Sequence, residues 1–248
     1  MAVFTPDERE RLRNELVSVA QEDPNLSGAA HTGSRASSRL DRWSDIDLAV
    51  CLRPDASRDQ VVTEWTERLY RDHDAVAHID VTRGPTLFRV FLLGNTLQVD
   101  VSFWRAEDFG ATGPSFMAIF GQPGERRDPP QPNPIALSGM AWLYALHVRS
   151  SLARARNLQA EYMLNGMRDH VCQLACLRCG VTPHQGRGLD DLPAPERDTA
   201  AAYVPRSLES SELRRALQST MRGLLRELEH VDATIAARLS GPLNEIVA

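Results

Sequence analysis

Between Gly121 and Pro134 the chain places five prolines and two glycines in fourteen residues. Each proline removes a backbone donor and fixes φ, so no helix interior or central strand accepts that density. The segment therefore reads as a break between two bodies. The patterns on its two sides differ. Upstream, strands mix with helices; downstream, helix follows helix. We expect an α+β chain with a mixed-sheet domain over 1–125, a Pro-rich linker over 126–134 and an all-helical bundle domain over 135–248. At 248 residues, each part is long enough to bury a core.

The element signals are local and specific. Thr5, Pro6 and Glu8 form a capping-box start, and Leu12, Leu16 and Val19 follow at helical spacing until Asp23-Pro24 ends the helix. The small-residue stretch from Ser27 to Ser38 reads as loop with a short helical turn. Asp45 to Leu52 reads as a strand, and Ser57 to Arg71 as a helix with Val61, Trp65 and Leu69 on one face. Ala75 to Val81 is a second strand. Leu87 to Leu93 and Thr96 to Phe103 form a hairpin across Gly94-Asn95. Past the linker, Asn133 caps and Pro134 opens a helix running toward Arg156. A second helix covers Gln159 to Cys179, another lies near Glu196, and the last long helix carries Leu213, Leu217, Met221, Leu224, Leu228 and Val231.

All 28 basic residues are arginine. Without lysine there is no Schiff-base chemistry and no P-loop, so any phosphate must be held by Arg, Ser/Thr or backbone N–H. The net charge of −5 disfavours a nucleic-acid partner or an anionic membrane held by charge. Met1 to Arg13 lacks the apolar core of a signal peptide, and no apolar run is long enough to span a bilayer. With Cys51, Cys172, Cys176 and Cys179 expected as reduced thiols, a cytoplasmic setting is expected.

One constellation carries chemistry. Gly33-Ser34 is followed by ten residues and then Asp45-Ile46-Asp47, which enters Leu48-Ala49-Val50. Residues i and i+2 of a strand share a face, so Asp45 and Asp47 stand side by side while Ile46 points into the core. Asp100, between Val99 and Val101, adds a third carboxylate if its strand pairs nearby. Clustered carboxylates repel and raise one another's pKa, a conflict that hard divalent cations resolve. Two such ions would serve phosphoryl displacement. Glycine lets the backbone approach a phosphate, and consecutive N–H groups with the Ser34 hydroxyl can hold its oxygens.

This arrangement resembles the signature of the DNA polymerase β-type nucleotidyltransferase superfamily. A sheet domain followed by a helical bundle is similar to its aminoglycoside- and lincosamide-modifying branch. The resemblance implies that Asp45 and Asp47 hold Mg²⁺, in two ions, with ATP or another NTP as substrate. It implies that Gly33 and Ser34 hold the β- and γ-phosphates, and that Asp100 is either a metal ligand or the base. Glu161 of the helical part is the rival base, and Asp80, also between apolar strand residues, is the rival third carboxylate. Thr32 departs from the apolar residue usual before the Gly-Ser pair. Arg35, Arg39 and Arg42 lie within the motif and are candidate phosphate donors, Arg35 first.

The implied acceptor is a small hydroxylated molecule. If it were a cationic aminoglycoside the cleft would be acidic, with Glu161, Asp169, Asp190 and Asp191 as contributors. The alternatives are modification of tRNA or a protein, as in toxin–antitoxin systems, and a catalytically silent nucleotide-binding module. The sequence leaves the oligomeric state open.

Several other features have blander readings. Cys172, Cys176 and Cys179 follow one helical stripe, which suits a core better than a tetrahedral zinc. Phe109, Phe116 and Phe120 suit packing beneath the linker better than a wall of the site. Trp104 is a candidate for stacking a base or for the core. The loop from Arg187 to Pro193 resembles loops of related helical domains without suggesting a mechanism.

Overall fold

The computed structural model describes residues 3–37, 40–128 and 130–247. The chain divides into two compact units, Met1–Pro130 and Gln131–Ala248. No helix among the described residues is long and apolar enough to cross a membrane.

The first unit is built on a six-stranded sheet of order β3-β4-β5-β2-β1-β6. Its strands are β1 (Leu26–Thr32), β2 (Ile46–Leu52), β3 (Ala75–Arg83), β4 (Thr86–Leu93), β5 (Gln98–Trp104) and β6 (Phe116–Phe120). β2 and β5 pair in parallel, and every other neighbouring pair is antiparallel.

Helix α1 (Pro6–Glu22) starts as its capping box dictates: Glu8 N–H donates to Thr5 Oγ1 at 3.2 Å, and Thr5 N–H donates back to Glu8 Oε2 at 2.7 Å. Helix α3 (Arg58–Asp72) starts at Ser57, whose hydroxyl accepts from Gln60 N–H. Leu12, Leu16 and Ala20 of α1 and Val61, Trp65 and Leu69 of α3 are buried in one core with Ile46, Leu48, Val50, Val99, Val101 and Phe103. The alternation predicted for β2 and β5 thus delivers one apolar face to the helices. The indole of Trp65 ties the two helices together by donating to Asp23 Oδ2 at 3.1 Å.

Two strands depart from the sequence reading. The stretch read as loop from Ser27 is strand β1, fully integrated between β2 and β6. Its Ser-Gly-Ala-Ala run has little intrinsic strand preference, and pairing on both sides overrides that. The small residues are needed there: a Cβ on Gly28 would meet the Phe109 ring at 3.1 Å. Phe116–Phe120 is likewise a strand pairing with β1 rather than packing alone. Phe109 is buried and packs edge-on against Phe116.

The second unit is helical. Its elements are α4 (Pro134–Ala153), α5 (Asn157–Arg178), a 3₁₀ turn at His184–Gly186, α6 (Ala194–Ala201), α7 (Ser210–Val231) and α8 (Ala233–Val247). Asn133 caps α4 by accepting from Ile135 and Ala136 N–H. The Leu213, Leu217, Met221, Leu224 and Leu228 stripe of α7 is buried with Leu164, Met167 and Val171 of α5. The sequence reading ends its last helix at Val231. The chain in fact continues into α8, capped by Asp232 and burying Leu243 and Ile246 despite Pro242 inside it. Cys172 and Cys176 are buried in this unit, and burial pushes the Cys172 thiol up to about 12. Glu227, also buried, accepts two hydrogen bonds from the Arg178 guanidinium at 2.8 and 2.9 Å.

Candidate active site

The sheet face away from α1 and α3 has a different chemistry. Toward one end it is covered by a small apolar cluster of Ala30, Ala49, Cys51, Trp104 and Phe109. Trp104 is buried there, with its indole donating to Ser102 Oγ at 2.8 Å, so it belongs to the core rather than to a base-stacking surface. Further along, the same face carries Asp47 and Asp100 directly opposite each other across the parallel β2–β5 pair. Asp45 precedes Asp47 by two residues and lies with them. Carboxylate oxygens of Asp45, Asp47 and Asp100 all lie within 4.8 Å of one another. The sequence-predicted triad is therefore brought together, while Ile46 between its first two members is fully buried on the other face.

Asp100 is the carboxylate under electrostatic tension. Burial, and secondarily the charge of Asp45, push Asp100 up to about 6, against the pull of a hydrogen bond from Gln98. The Gln98 amide donates to Asp100 Oδ1 at 2.9 Å and to Asp45 Oδ2 at 3.3 Å. Two carboxylates thus share one neutral donor, which offsets little of their repulsion.

The Gly33-Ser34 turn, expected from the sequence to hold phosphate, stands on the β2 side. Thr32 ends β1 in extended conformation and leads into a single helical turn, α2 (Gly33–Ala36). The polar Thr32 at this position is therefore an ordinary strand end. Gly33 has φ +60, and a Cβ there would sit 1.8 Å from Asp47 Oδ2. The backbone passes so close to the carboxylate that only glycine fits. The Ser34 hydroxyl is buried with no hydrogen-bond partner among the described residues. A donor set made only of hard oxygens, beside a hydroxyl awaiting a partner, fits a divalent cation carrying phosphate.

Arg35 is exposed in α2 beside Ser34. Arg42 stacks over the exposed Trp43 ring at 5.0 Å, and Arg39 lies outside the described residues. Asp80 is removed as a rival third carboxylate. It lies on β3, opposite Arg89, and accepts two hydrogen bonds at 2.7 Å from that guanidinium. Glu161 lies in α5 of the second unit.

No family model matches this sequence, and no curated protein sequence matches it. The solved structures it resembles are nucleotidyltransferases. An aminoglycoside 6-adenyltransferase from Bacillus subtilis shares 11% identity over 93% of this chain and 95% of its own, at a TM-score of 0.43. A nucleotidyltransferase-like protein from Exiguobacterium sibiricum shares 13% identity over 92% and 78%, at 0.39. The CD-NTase CdnG of Bradyrhizobium diazoefficiens, solved with GTP, shares 14% over 91% and 73%, at 0.30.

Sequence reasoning missed the support beneath the triad. Arg9 and Arg13 of α1 are buried, not solvent-facing. Arg9 Nη1 donates to the Asp41 carbonyl at 2.6 Å and the Ser44 carbonyl at 3.0 Å. Arg13 Nη2 reaches the Asp45 carbonyl at 3.4 Å, while its Nη1 pairs with Glu10. These guanidinium groups hold the loop that delivers Asp45 into β2. Beside them His31 is buried on the helix face, where burial and the charges of Arg13 and Arg35 hold it below its ordinary pKa. The only signal available in sequence was the unusual placement of Arg9 and Arg13 at the spacing of the apolar stripe. Arg9→Ala strands two carbonyls, and urea unfolding is expected to show a loss of about 1–3 kcal/mol.

Proposed function

We propose that this chain is a Mg²⁺-dependent nucleotidyltransferase that moves a nucleoside monophosphate, AMP from ATP, onto a hydroxyl of a small acceptor. The observation that carries the reading is the convergence of Asp45, Asp47 and Asp100 within 4.8 Å beside a glycine turn that touches Asp47. Asp80 is bound by the Arg89 guanidinium, whereas Asp45 and Asp100 share the neutral Gln98 amide as a donor.

In this reading Asp45 and Asp47 hold the metal, with Asp100 completing the carboxylate set. When bound, the two divalent ions neutralise phosphate charge and favour attack at the α-phosphorus. The Gly33 backbone and the Ser34 hydroxyl hold the β- and γ-phosphates, and Arg35 adds a charge-assisted donor. The acceptor oxygen bonds to the α-phosphorus, the bond to the bridging oxygen breaks, and pyrophosphate leaves with that electron pair. Asp100, opposite Asp47 on the β5 side of the pair, takes the hydroxyl proton. The helical unit is assigned a share in substrate binding, and the whole protein to the cytoplasm.

The test is pyrophosphate release from ATP and Mg²⁺ in the presence of hydroxylated small molecules or bulk tRNA. Release that needs a small acceptor and disappears with EDTA is the expected result. Release driven by tRNA alone moves the reading to a macromolecular acceptor, and nucleotide binding without release under any condition overturns transfer.

A further inference from the structure

We propose that the β3–β4 ribbon is the platform for the acceptor, and that the acceptor is a hydroxylated molecule with an apolar face and without dense positive charge. The inference rests on the nucleotidyl-transfer reading and names the substrate class of that same site.

The platform follows from register. On the triad's face of the sheet, each polar residue of β5 begins a cross-strand row that is apolar to the edge. Asp100 lies opposite Val90, which lies opposite Ile79; Gln98 lies opposite Leu92, and then Ala77; Ser102 lies opposite Phe88, and then Val81. Paired residues of antiparallel strands point to the same side, so these apolar groups share the face of the carboxylates. They are not core: Ile79 is 62% exposed, Leu92 47% and Val81 39%. Exposed apolar surface on that scale beside a polar cluster marks a binding surface.

The occupant is fixed by the reaction's geometry. Turn α2, which carries the phosphate-holding Gly33 and Ser34, packs against β1, β2 and β6. The phosphates therefore occupy the β2 side of the triad. In-line displacement places the attacking and leaving oxygens on opposite sides of the α-phosphorus. The attacking hydroxyl then arrives from the β4 side, across Asp100, and the body of its molecule lies over Val90, Leu92 and Ile79. Charge sets the class. Those rows bear no carboxylate beyond Asp100, the nearby Asp80 being paired to Arg89. At the far end the Arg83 guanidinium lies 5.5 Å from the centre of the Phe88 ring. A polycation finds no partner there, whereas an amphiphilic polyol or sugar conjugate does.

The test uses the full chain with Mg²⁺ and a non-hydrolysable ATP analogue, with Ile, Leu and Val methyls isotopically labelled. Lincomycin and octyl glucoside are titrated as amphiphiles and kanamycin as the polycation. The expected result is that an amphiphile shifts the Ile79 and Leu92 methyl signals and kanamycin does not. Ile79→Asp/Leu92→Asp changes two exposed side chains. It should weaken that amphiphile by about tenfold or more, while analogue affinity moves by less than about twofold. Three results overturn the platform while the analogue still binds: kanamycin shifting these methyls, neither amphiphile shifting them, or light scattering showing a dimer that the double variant dissolves. Failure of the analogue to bind overturns the transfer reading itself, and the platform with it.

Discussion

Asp100→Asn is expected to lower acceptor-dependent pyrophosphate release by about 10²–10⁴-fold while making the metal-free protein more stable. The opposite signs come from one cause. Burial raises the folded-state pKa of Asp100 from 3.8 to about 6. Between those values the folded chain holds a proton that the unfolded chain releases. Stability from this group is therefore greatest below about pH 4 and falls as pH rises through 6. Above that window the folded chain keeps a carboxylate in a poorly solvated place beside Asp45, and asparagine removes the charge without changing the shape. A melting-temperature gain of about 2–4 °C at pH 7.5, vanishing at pH 4, is the expected signature. In the proposed reading Mg²⁺ is expected to reverse the comparison, stabilising the native protein by occupying the carboxylates and the variant less. The Asp45→Asn/Asp47→Asn double variant should lose release entirely and show no melting shift with Mg²⁺. Full activity in Asp100→Asn would remove it from the chemistry and leave Glu161 as the candidate base.

Why the triad was legible and its support was not comes down to interaction range. Asp45 and Asp47 sit in a period-2 pattern whose apolar members, Ile46, Leu48 and Val50, fix which way the carboxylates face. The same holds for Asp100 between Val99 and Val101. The caps at Thr5 and Asn133 are equally local. Asp80 is where the local pattern stops deciding, because like Asp100 it has an apolar residue on each side. Only the sheet order distinguishes them: β5 pairs with β2, whereas β3 is an edge strand and brings Asp80 to Arg89. Strand β1 was hidden for a related reason. Its alanines and glycine are strand residues because β2, β6 and Phe109 crowd them, not by preference. Arg9 and Arg13 look like solvated helix charges until the carbonyls of Asp41, Ser44 and Asp45, more than thirty residues away, are placed against them.

Gly33→Ala tests the proposed link between a phosphate-holding turn and metal-holding carboxylates, and its effect should rival that of losing a carboxylate. Two penalties fall on one methyl group. The backbone at φ +60 disfavours any L side chain, a strain of about 1–3 kcal/mol. The added Cβ would also lie 1.8 Å from Asp47 Oδ2 and 2.6 Å from Cγ, so the turn or the carboxylate must move. A displacement near 1 Å of a metal-holding or phosphate-holding group costs about 10²-fold in rate, and here both are pushed apart by the same atom. The expected variant is folded, less stable, at least about 10²-fold slower, and weakened in Mg²⁺-dependent thermal stabilisation. Ser34→Ala provides the contrast. Its hydroxyl is buried without a hydrogen-bond partner among the described residues, so removing it should leave the melting temperature unchanged or higher. In the proposed reading the loss appears in nucleotide affinity instead, since there the phosphate is the hydroxyl's partner. If Gly33→Ala keeps native activity and native Mg²⁺ response, turn and carboxylate do not act as one unit, and the phosphates must be held elsewhere.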